Sequence, residues 1–376
     1  MSGPLTGLKV IEIAGLGPGP FCGMMLADLG ADVTRIERLN GAMTVPMDLL
    51  NRGRKNLAVN LKSAAGVTLV KKLVEDADVF IEGFRPGVIE RLGLGPDVCH
   101  EINPALVYGR ITGWGQTGPV AERAGHDINY IALAGALEPI GPAAGPPSVP
   151  LNFVADFGGG GMLLAVGILA AIVHARATGE GQVIDAAMTD GTALLTTMFH
   201  GLSASGMWQD KRESNLLDGG APFYRCYETS DGKYMSVGAI EPKFYLQLLD
   251  GLGLTHETLP SQYDQTRWPD LQARFEDCFK QKTSAEWRAI FEHRDACVYP
   301  VLSLTEAPHH PHNRARGTFV EVDGVVQPAP APRFSKTPVT LKSSASQTTE
   351  STTATLKSLG ISDDEIEQLR AQGAIR

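Results

Sequence analysis

Residues 9–37 read KVIEIAGLGPGPFCGMMLADLGADVTRIE and contain one complete strand–helix–strand pattern. The short apolar run Lys9–Ile13 predicts a buried strand, and a turn rich in Gly and Pro follows it. Phe21–Leu29 is an apolar stretch that predicts a helix, and Asp32–Glu37 predicts a second strand. Two strands joined by one helix are typical of neighbouring parallel strands, so this stretch predicts an α/β fold.

The same alternation continues through the first half of the chain. A helix is predicted over Ser63–Glu75, and Ser63 is its expected N-cap because a serine oxygen can accept from a first-turn amide. Further strands are predicted at Val79–Glu82, Leu106–Thr112 and Gln182–Ala186. Gly158–Ala177 predicts a long helix that is apolar on nearly all sides, and such a helix is expected to be buried. The expected architecture is a parallel sheet covered by helices.

The character of the sequence changes after about residue 215. Arg225–Val237 predicts two strands joined through an Asp-Gly turn, and short amphipathic helices follow. The expected organisation is a large domain over 1–190, a linker over 191–215, a smaller α+β domain over 216–308 and a final segment over 309–376. Residues 343–352 are rich in Ser and Thr and predict a linker before a last helix capped by Ser362.

Composition argues against several classes of partner. A net charge of -9 argues against a nucleic-acid-binding protein, whose phosphate contacts need a basic surface. Five cysteines without a CxxC pair favour a reducing compartment over a disulfide framework or a zinc cluster. The chain has no evident secretory signal, no uncharged apolar run of about 18 residues and no Ser-Lys-Leu-type ending. We therefore expect a cytoplasmic protein with no membrane partner.

The turn from Gly15 to Pro20 resembles a dinucleotide-binding fingerprint, because it joins a strand to a helix and Glu37 ends the next strand. The match fails at Pro20, which stands where a third glycine is required and offers no N–H to a phosphate. We interpret the segment as a tight strand–helix turn. Three clustered histidines, His309, His310 and His312, have no spaced Cys or carboxylate ligands beside them, so we interpret them as a loop and expect no metal site.

Three ionisable residues stand at the ends of apolar elements, where parallel α/β folds open onto their active-site crevice. His126 precedes an apolar helix-like stretch, Asp156 stands just before a run of four glycines, and Glu241 follows a predicted strand. Taken singly, each also fits a structural role, His126 and Asp156 as helix caps and Glu241 as an exposed loop residue. Composition and spacing leave both interpretations open.

Several motifs, in order along the chain, resemble CoA-transferase family III. They are NRGRKN at 51–56, FRPGV at 84–88, TGWGQTGP at 112–119, AGHD at 124–127, DFGGG at 156–160, DGGAP at 218–222 and AIE at 239–241. The similarity extends over nearly all of residues 3–375 and favours the branch of the family that racemises 2-methylacyl-CoA thioesters. It implies a Rossmann-like parallel sheet in a large CoA-binding domain, a smaller α+β domain, a C-terminal segment that returns to the large domain, and an interlocked homodimer that shares its active sites.

The resemblance also implies roles for individual residues. His126 and Asp156 would be acid–base groups on opposite faces of a planar enolate, and Glu241 would orient the imidazole. Gly125, Asp127 and Tyr130 would surround the thioester, with the Asp127 N–H as a donor to the enolate oxygen. The positions expected to contact CoA are Arg38, Val59, Asn60, Leu61, Lys62, Gly83, Phe84, Arg85 and Arg91. Because CoA is part of the substrate, no separate cofactor and no metal is expected.

Two other functions compete with racemisation. A family III CoA-transferase would use Asp156 as a nucleophile that forms an acyl anhydride, and His126 and Glu241 would then have no obvious task. A non-catalytic acyl-CoA-binding protein would bind the thioester without exchanging its α-proton. The joint presence of the three residues favours the racemase. The acyl group stays open among branched fatty acids, bile-acid intermediates and aryl-propionyl groups.

Overall fold

The computed structural model describes residues 3–39, 48–341 and 352–376, and two compact units divide the chain. The first unit comprises Met1–Ala134, Leu151–Leu195 and Pro311–Arg376, and the second comprises Gly135–Pro150 and Thr196–His310. The boundary between Leu195 and Thr196 falls within the predicted linker over 191–215, although helices occupy much of that stretch. Residues 135–150 belong to the second unit, where Arg212 forms an ion pair with Glu138 at 2.9 Å.

The strands form three sheets. In chain order they are β1 (Lys9–Ile13), β2 (Asp32–Glu37), β3 (Lys55–Ala58), β4 (Val79–Glu82), β5 (Val107–Thr112), β6 (Val183–Ala187), β7 (Tyr224–Glu228), β8 (Tyr234–Gly238), β9 (Val298–Pro300), β10 (Phe319–Val322) and β11 (Val325–Pro328). The six strands of the first sheet are all parallel, in the order β3-β2-β1-β4-β5-β6. This is the Rossmann order, which confirms the predicted fold class. The other sheets, β7-β8-β9 and the hairpin β10-β11, are antiparallel.

Helices connect these strands. In chain order they are α1 (Pro18–Asp28), α2 (Ala64–Val74), α3 (Val88–Arg91), α4 (Pro96–Ile102), α5 (Asp127–Leu133), α6 (Leu163–Thr178), α7 (Met188–Leu195), α8 (Thr197–Ala204), α9 (Pro242–Leu252), α10 (Trp268–Phe279), α11 (Ser284–Phe291), α12 (Pro311–Arg316), α13 (Thr352–Ser358) and α14 (Asp363–Ala371). A π-helical segment, Phe153–Met162, leads directly into α6. As predicted, the Ser63 hydroxyl caps α2 by accepting from the Gly66 N–H at 3.1 Å.

The two faces of β1 serve different purposes, because alternate residues of a strand point to opposite sides of the sheet. Ile11 and Ile13 belong to a hydrophobic cluster that also contains buried residues of α2, α3 and the C-terminal helices. Glu12 lies close to Gly23 of α1, and it is completely buried there. The sheet therefore has one apolar face and one face that carries a buried charge.

The C-terminal segment packs against the parallel sheet of the first unit. Leu356 and Leu369 are buried in the same hydrophobic cluster as β1, and the Ala374 carbonyl accepts from the Asn60 N–H at 2.8 Å. Residues 343–351 of the predicted Ser/Thr-rich linker lie outside the described residues. The predicted histidine loop is partly helical, since His309 ends a 3₁₀ turn and His312 lies in α12.

The long apolar helix differs from its prediction in two ways. It begins at Phe153 instead of Gly158, and it is not buried all round, because Val166 and Val173 are exposed by 61% and 72%. By length and composition Phe153–Thr178 could cross a membrane, which corrects the expectation that no such stretch exists, although core helices of soluble proteins meet the same criteria. Here Leu164 and Ile168 pack on Gly109 of β5, so one face of the helix covers the sheet.

The second unit has its own aromatic core. Tyr227 of β7 stacks on Phe279 of α10 with ring centroids 4.9 Å apart, and Trp287 of α11 lies against the same phenylalanine. Both Tyr227 and Phe279 are fully buried. Because this core contains no residue of the parallel sheet, the second unit buries its apolar surface independently.

Candidate active site

A cavity of about 430 Å³ opens in the first unit beyond the carboxyl ends of β1, β4 and β5. Loops that follow these strands form its wall, and the π-helical segment and α5 complete it. The lining residues include Gly15–Pro20, Gly83, Phe84, Arg85, Trp114, Gly125, His126, Tyr130, Asp156 and Met188. In this sheet the strand order reverses between β1 and β4. In open parallel sheets, ligands bind in the crevice that such a reversal creates.

His126 reaches the cavity from the start of a helix. It is the N-cap residue of α5, with extended backbone angles, and its own N–H donates to the Asn129 side-chain oxygen at 3.1 Å. The imidazole is exposed and lines the cavity. The cap reading and the acid–base reading of His126 are therefore compatible, because the backbone caps the helix while the ring stays available.

Asp156 faces the same cavity from the π-helical segment. Its carboxyl is half-buried and accepts from the Asn152 side-chain amide at 3.1 Å. Burial raises the pKa of this carboxyl above its usual range, and the negative charge of Asp127 raises it further, while the Asn152 bond and His126 oppose the shift. A carboxyl in such a setting holds its proton to higher pH than an exposed one.

Tyr130 supports the loop that carries His126. Its hydroxyl donates to the Gly125 carbonyl, and its ring meets Trp114 edge-on with centroids 4.7 Å apart. The ring fills the space beside Gly113, where a Cβ would lie 2.1 Å from a ring carbon. Position 113 therefore requires glycine, and the predicted thioester residues Gly125 and Tyr130 are joined by a direct hydrogen bond.

The predicted CoA-binding positions divide into two groups. Gly83, Phe84 and Arg85 line the cavity at the carboxyl end of β4. The others lie outside its wall within the described residues, following β2 (Arg38), following β3 (Val59, Asn60, Leu61 and Lys62) and on α3 (Arg91). The basic side chains of Arg38, Lys62, Arg85 and Arg91 are all exposed.

Several amides in these segments already have acceptors. The N–H groups of Val59 and Asn60 donate to the carbonyls of Glu37 and Ala374, both at 2.8 Å. The Lys62 and Phe84 N–H groups donate to the side chains of Asn60 and Glu82, at 3.1 and 2.7 Å. These N–H groups are therefore already engaged and are not free to donate to phosphates. Contacts between these segments and CoA would have to use carbonyl oxygens and side chains.

The sequence model of CoA-transferase family III matches residues 5–350. The chain belongs to CoA-transferase family III. It is 47% identical to the alpha-methylacyl-CoA racemase of Mus musculus over 370 residues, which cover 98% of this chain and 96% of the mouse protein. It is 44% identical to the alpha-methylacyl-CoA racemase of Homo sapiens over 373 residues, which cover 99% of this chain and 97% of the human protein.

The fold also agrees with that of a solved structure. A CAIB/BAIF family protein from Brucella suis superposes with a TM-score of 0.83 at 28% sequence identity, and the match covers 96% of this chain and all of that chain, 100%. The family assignment rests on the sequence matches, and this superposition shows a shared fold.

Glu241 is the one predicted catalytic residue of this family III chain that belongs to the second unit. It is the N-cap residue of α9, where its carbonyl accepts from the N–H groups of Phe244 and Tyr245 at 3.0 Å. Its side chain is exposed, as the loop interpretation predicted, while its backbone caps α9, and the predicted pairing with His126 stays a prediction.

The sequence interpretation missed the importance of the Gly15–Pro20 loop. The motif predicts only a tight strand–helix turn, yet the whole loop lines the cavity. Gly17 has a left-handed φ of 69°, and a Cβ there would lie 3.0 Å from an Asp156 carboxyl oxygen. The signal was present in the alternation of glycine with proline, which combines close approach with a rigid backbone. The partner Asp156 is too distant in sequence for the loop's purpose to be inferred from the motif.

Proposed function

We propose that this family III protein is an α-methylacyl-CoA racemase, which interconverts the (R) and (S) forms of 2-methylacyl-CoA thioesters. The observation that carries the proposal is that an imidazole, His126, and a carboxyl with a raised pKa, Asp156, line one cavity. The identity of 44 to 47% to racemases over nearly the whole chain supports the same conclusion.

The mechanism needs one proton acceptor and one proton donor on opposite faces of the α-carbon. In one direction the neutral His126 imidazole removes the α-proton, and the Asp156 carboxylic acid delivers a proton to the other face of the planar enolate. In the reverse direction the Asp156 carboxylate is the base and the His126 imidazolium is the acid. The Asp127 N–H, in the first turn of α5, has no acceptor within its own helix and would donate to the enolate oxygen.

The environment of Asp156 favours this mechanism over CoA transfer. A transferase would need the ionised carboxylate as a nucleophile. A raised pKa increases the protonated fraction at any given pH, which lowers the fraction of nucleophile and raises the fraction of acid. His126 would also have no task in a transferase, whereas racemisation uses both residues.

The substrate requires a basic region, because CoA is polyanionic and the chain as a whole has a net charge of -9. Arg38, Lys62 and Arg91 would contact the nucleotide part, and Arg85 would serve the part nearer the cavity. The backbone from Val59 to Lys62 and from Gly83 to Phe84 would accept from CoA through carbonyl oxygens. The proposed chemistry uses only CoA, which is part of the substrate, and protein acid–base groups.

Solvent exchange tests the function directly. Incubation with a single enantiomer of a 2-methylacyl-CoA in D₂O, without any acceptor acid, is expected to give both deuterium incorporation at the α-carbon and loss of optical purity. Mass spectrometry measures the first and chiral chromatography the second. Turnover that appears only when an acceptor acid is added would identify a transferase instead, and binding without exchange would identify a non-catalytic carrier.

We also propose a homodimer in which Glu241 of one chain orients His126 of the other. Large apolar side chains remain exposed on the first unit of a single chain, namely Leu151, Phe153, Met162, Val166, Val173, Leu194 and Leu195. Exposed apolar side chains that together form a patch often mark an interface. A second copy is the expected partner, since the predicted active site is incomplete without Glu241.

Mixing two inactive variants tests the shared site. Light scattering is expected to give twice the 40.1 kDa mass of one chain. His126→Ala and Glu241→Ala homodimers should each be strongly impaired. After dissociation and reassociation together, mixed dimers should recover activity, because one of their two sites combines an intact His126 with an intact Glu241. A mixture no more active than its components would rule out sharing.

We further propose a cytoplasmic location for the enzyme. The five cysteines, Cys22, Cys99, Cys226, Cys278 and Cys297, are all free thiols, and three of them are buried. Free thiols are typical of a reducing compartment.

A further inference from the structure

The Asp127 carboxylate joins the two proposed proton carriers. Asp127 follows His126 in sequence, and its side chain is buried, with 5% of the residue exposed. One carboxylate oxygen, Oδ2, accepts from the backbone N–H groups of Ala155 and Asp156, both at 2.8 Å. A single side chain therefore connects the start of α5, which carries His126, to the backbone of Asp156.

These bonds supply acceptors that the π-helical segment lacks. The segment begins at Phe153, so the N–H groups of Ala155 and Asp156 lie in its first turn and have no acceptor within it. Hydrogen bonds to an ionised acceptor are roughly twice as strong as neutral ones. The other Asp127 oxygen, Oδ1, is buried without a hydrogen-bond partner in the described part of the chain. Asp127 thus accepts hydrogen bonds from the Asp156 backbone with one oxygen, while its other buried oxygen stays unsatisfied.

We propose that Asp127 is a positioning residue of the racemase, whose carboxylate holds the backbone of Asp156 at a set distance from His126. The proposal rests on the proposed function, because it concerns the geometry of the two proton carriers. Proton transfer on both faces of one carbon requires each carrier to lie within hydrogen-bond reach of that carbon's proton. A misplacement of about 1 Å can lower the rate roughly 100-fold.

The charge of Asp127 has a second effect, on the protonation of Asp156. The negative charge raises the pKa of the Asp156 carboxyl beyond what burial alone does, whereas His126 and Asn152 lower it. Other charged groups on elements that pack against the π-helical segment are Asp28 of α1, Arg110 of β5, His174 and Arg176 of α6, Asp185 of β6 and Asp190 of α7. Of the charged groups, those that act on Asp156 are Asp127 and His126.

Two substitutions separate position from charge. Asp127→Asn retains an oxygen that can accept both N–H groups but removes the charge, whereas Asp127→Ala removes both. Asp363→Asn is the matched control, since Asp363 is likewise the first residue of a helix, α14, but it is exposed and belongs to the C-terminal segment. Each variant is assayed for kcat and KM with both enantiomers over a range of pH.

Asp127→Ala is expected to lower kcat roughly 100-fold with little change in KM, because the reacting groups are displaced while the CoA contacts remain. Asp127→Asn is expected to lower kcat less. One enantiomer loses its α-proton to His126, and Asp156 then donates a proton to the enolate. For this substrate the decline of kcat with rising pH should begin at lower pH, because the Asp156 carboxyl loses its proton more readily. If Asp127 only stabilised the fold, its substitution would not shift the pH at which kcat declines.

The outcomes distinguish the two levels of inference. Wild-type enzyme that exchanges no α-proton would overturn the proposed function itself. If the wild-type enzyme exchanges the α-proton and Asp127→Asn has the wild-type kcat and the wild-type decline at high pH, only the role of Asp127 is overturned. The Asn variant decides the matter even where Asp127→Ala fails to fold, and circular dichroism of each variant identifies that case.

Discussion

Removal of either proposed proton carrier should strongly reduce racemisation but spare solvent exchange from one enantiomer. With His126→Gln, the enantiomer whose α-proton faces His126 should lose exchange, while Asp156 still removes and returns the proton of the other enantiomer. With Asp156→Asn the preference should reverse. Racemisation should fall by about 10²- to 10⁴-fold in both variants, the usual contribution of a general acid or base. Deuterium incorporation into each pure enantiomer, measured alongside optical purity, tests this pattern.

The control for this experiment is His256→Gln, which changes an exposed histidine of the second unit and should leave both rates unchanged. The opposite preferences of the two variants are the critical feature. If both variants lose exchange from the same enantiomer, a single base serves both faces, and the two-carrier mechanism is wrong. If both keep near-normal racemisation, neither residue carries the proton.

Arg54→Met should destabilise the first unit by about 3–5 kcal/mol, the usual cost of leaving a buried charge without its partner. Arg54 forms an ion pair with Glu12 at 2.8 Å, and neither side chain has any exposed surface. Gly23 makes room for the pair, since a Cβ there would lie 2.2 Å from a Glu12 oxygen. Arg54 also donates to the Pro20 carbonyl in the cavity loop, so activity should fall as well. Urea unfolding followed by circular dichroism measures the loss.

The pH dependence of this loss has a definite sign. Burial raises the pKa of Glu12 above its usual range even with Arg54 present, and removing Arg54 raises it further. A carboxyl whose pKa is higher in the folded state binds its proton more readily there, so the variant should regain stability as the pH falls through that pKa. The deficit should therefore be larger at neutral pH than in mild acid.

Two further variants make the result specific. Glu12→Leu combined with Arg54→Met should recover much of the lost stability, because a buried ion pair can often be replaced by apolar side chains. Arg267→Met removes one partner of an exposed pair with Asp270, and it should change stability little. An Arg54→Met variant as stable as Arg267→Met would show that the buried pair does not stabilise the fold.

Strand prediction succeeded for three strands inside the parallel sheet, since the bounds of β1, β2 and β4 are those predicted. β1 and β4 are short, mainly apolar runs, which local sequence marks as buried. β3 was not predicted, since KNLA is short and half polar and occupies the edge position beside β2. Its strand character depends on its pairing with β2, which a local pattern does not contain.

The long helix illustrates the opposite failure. Its sequence is apolar on nearly all sides, which predicts burial on all sides. In a single chain one face packs on β5 and the other remains exposed at Val166 and Val173. The prediction of burial on all sides is therefore wrong for the single chain, because an apolar pattern does not specify which faces the rest of the chain covers.

The sequence by itself determined the α/β class and the family and predicted His126 and Asp156 as the acid–base pair, because apolar runs and ordered motifs are local properties. Only the tertiary structure decided that the Gly15–Pro20 loop lines the cavity and that Asp127 bonds to the backbone of Asp156. The physical reason is that these contacts join segments far apart in the chain, and their geometry exists only after the sheet has brought the strand ends together.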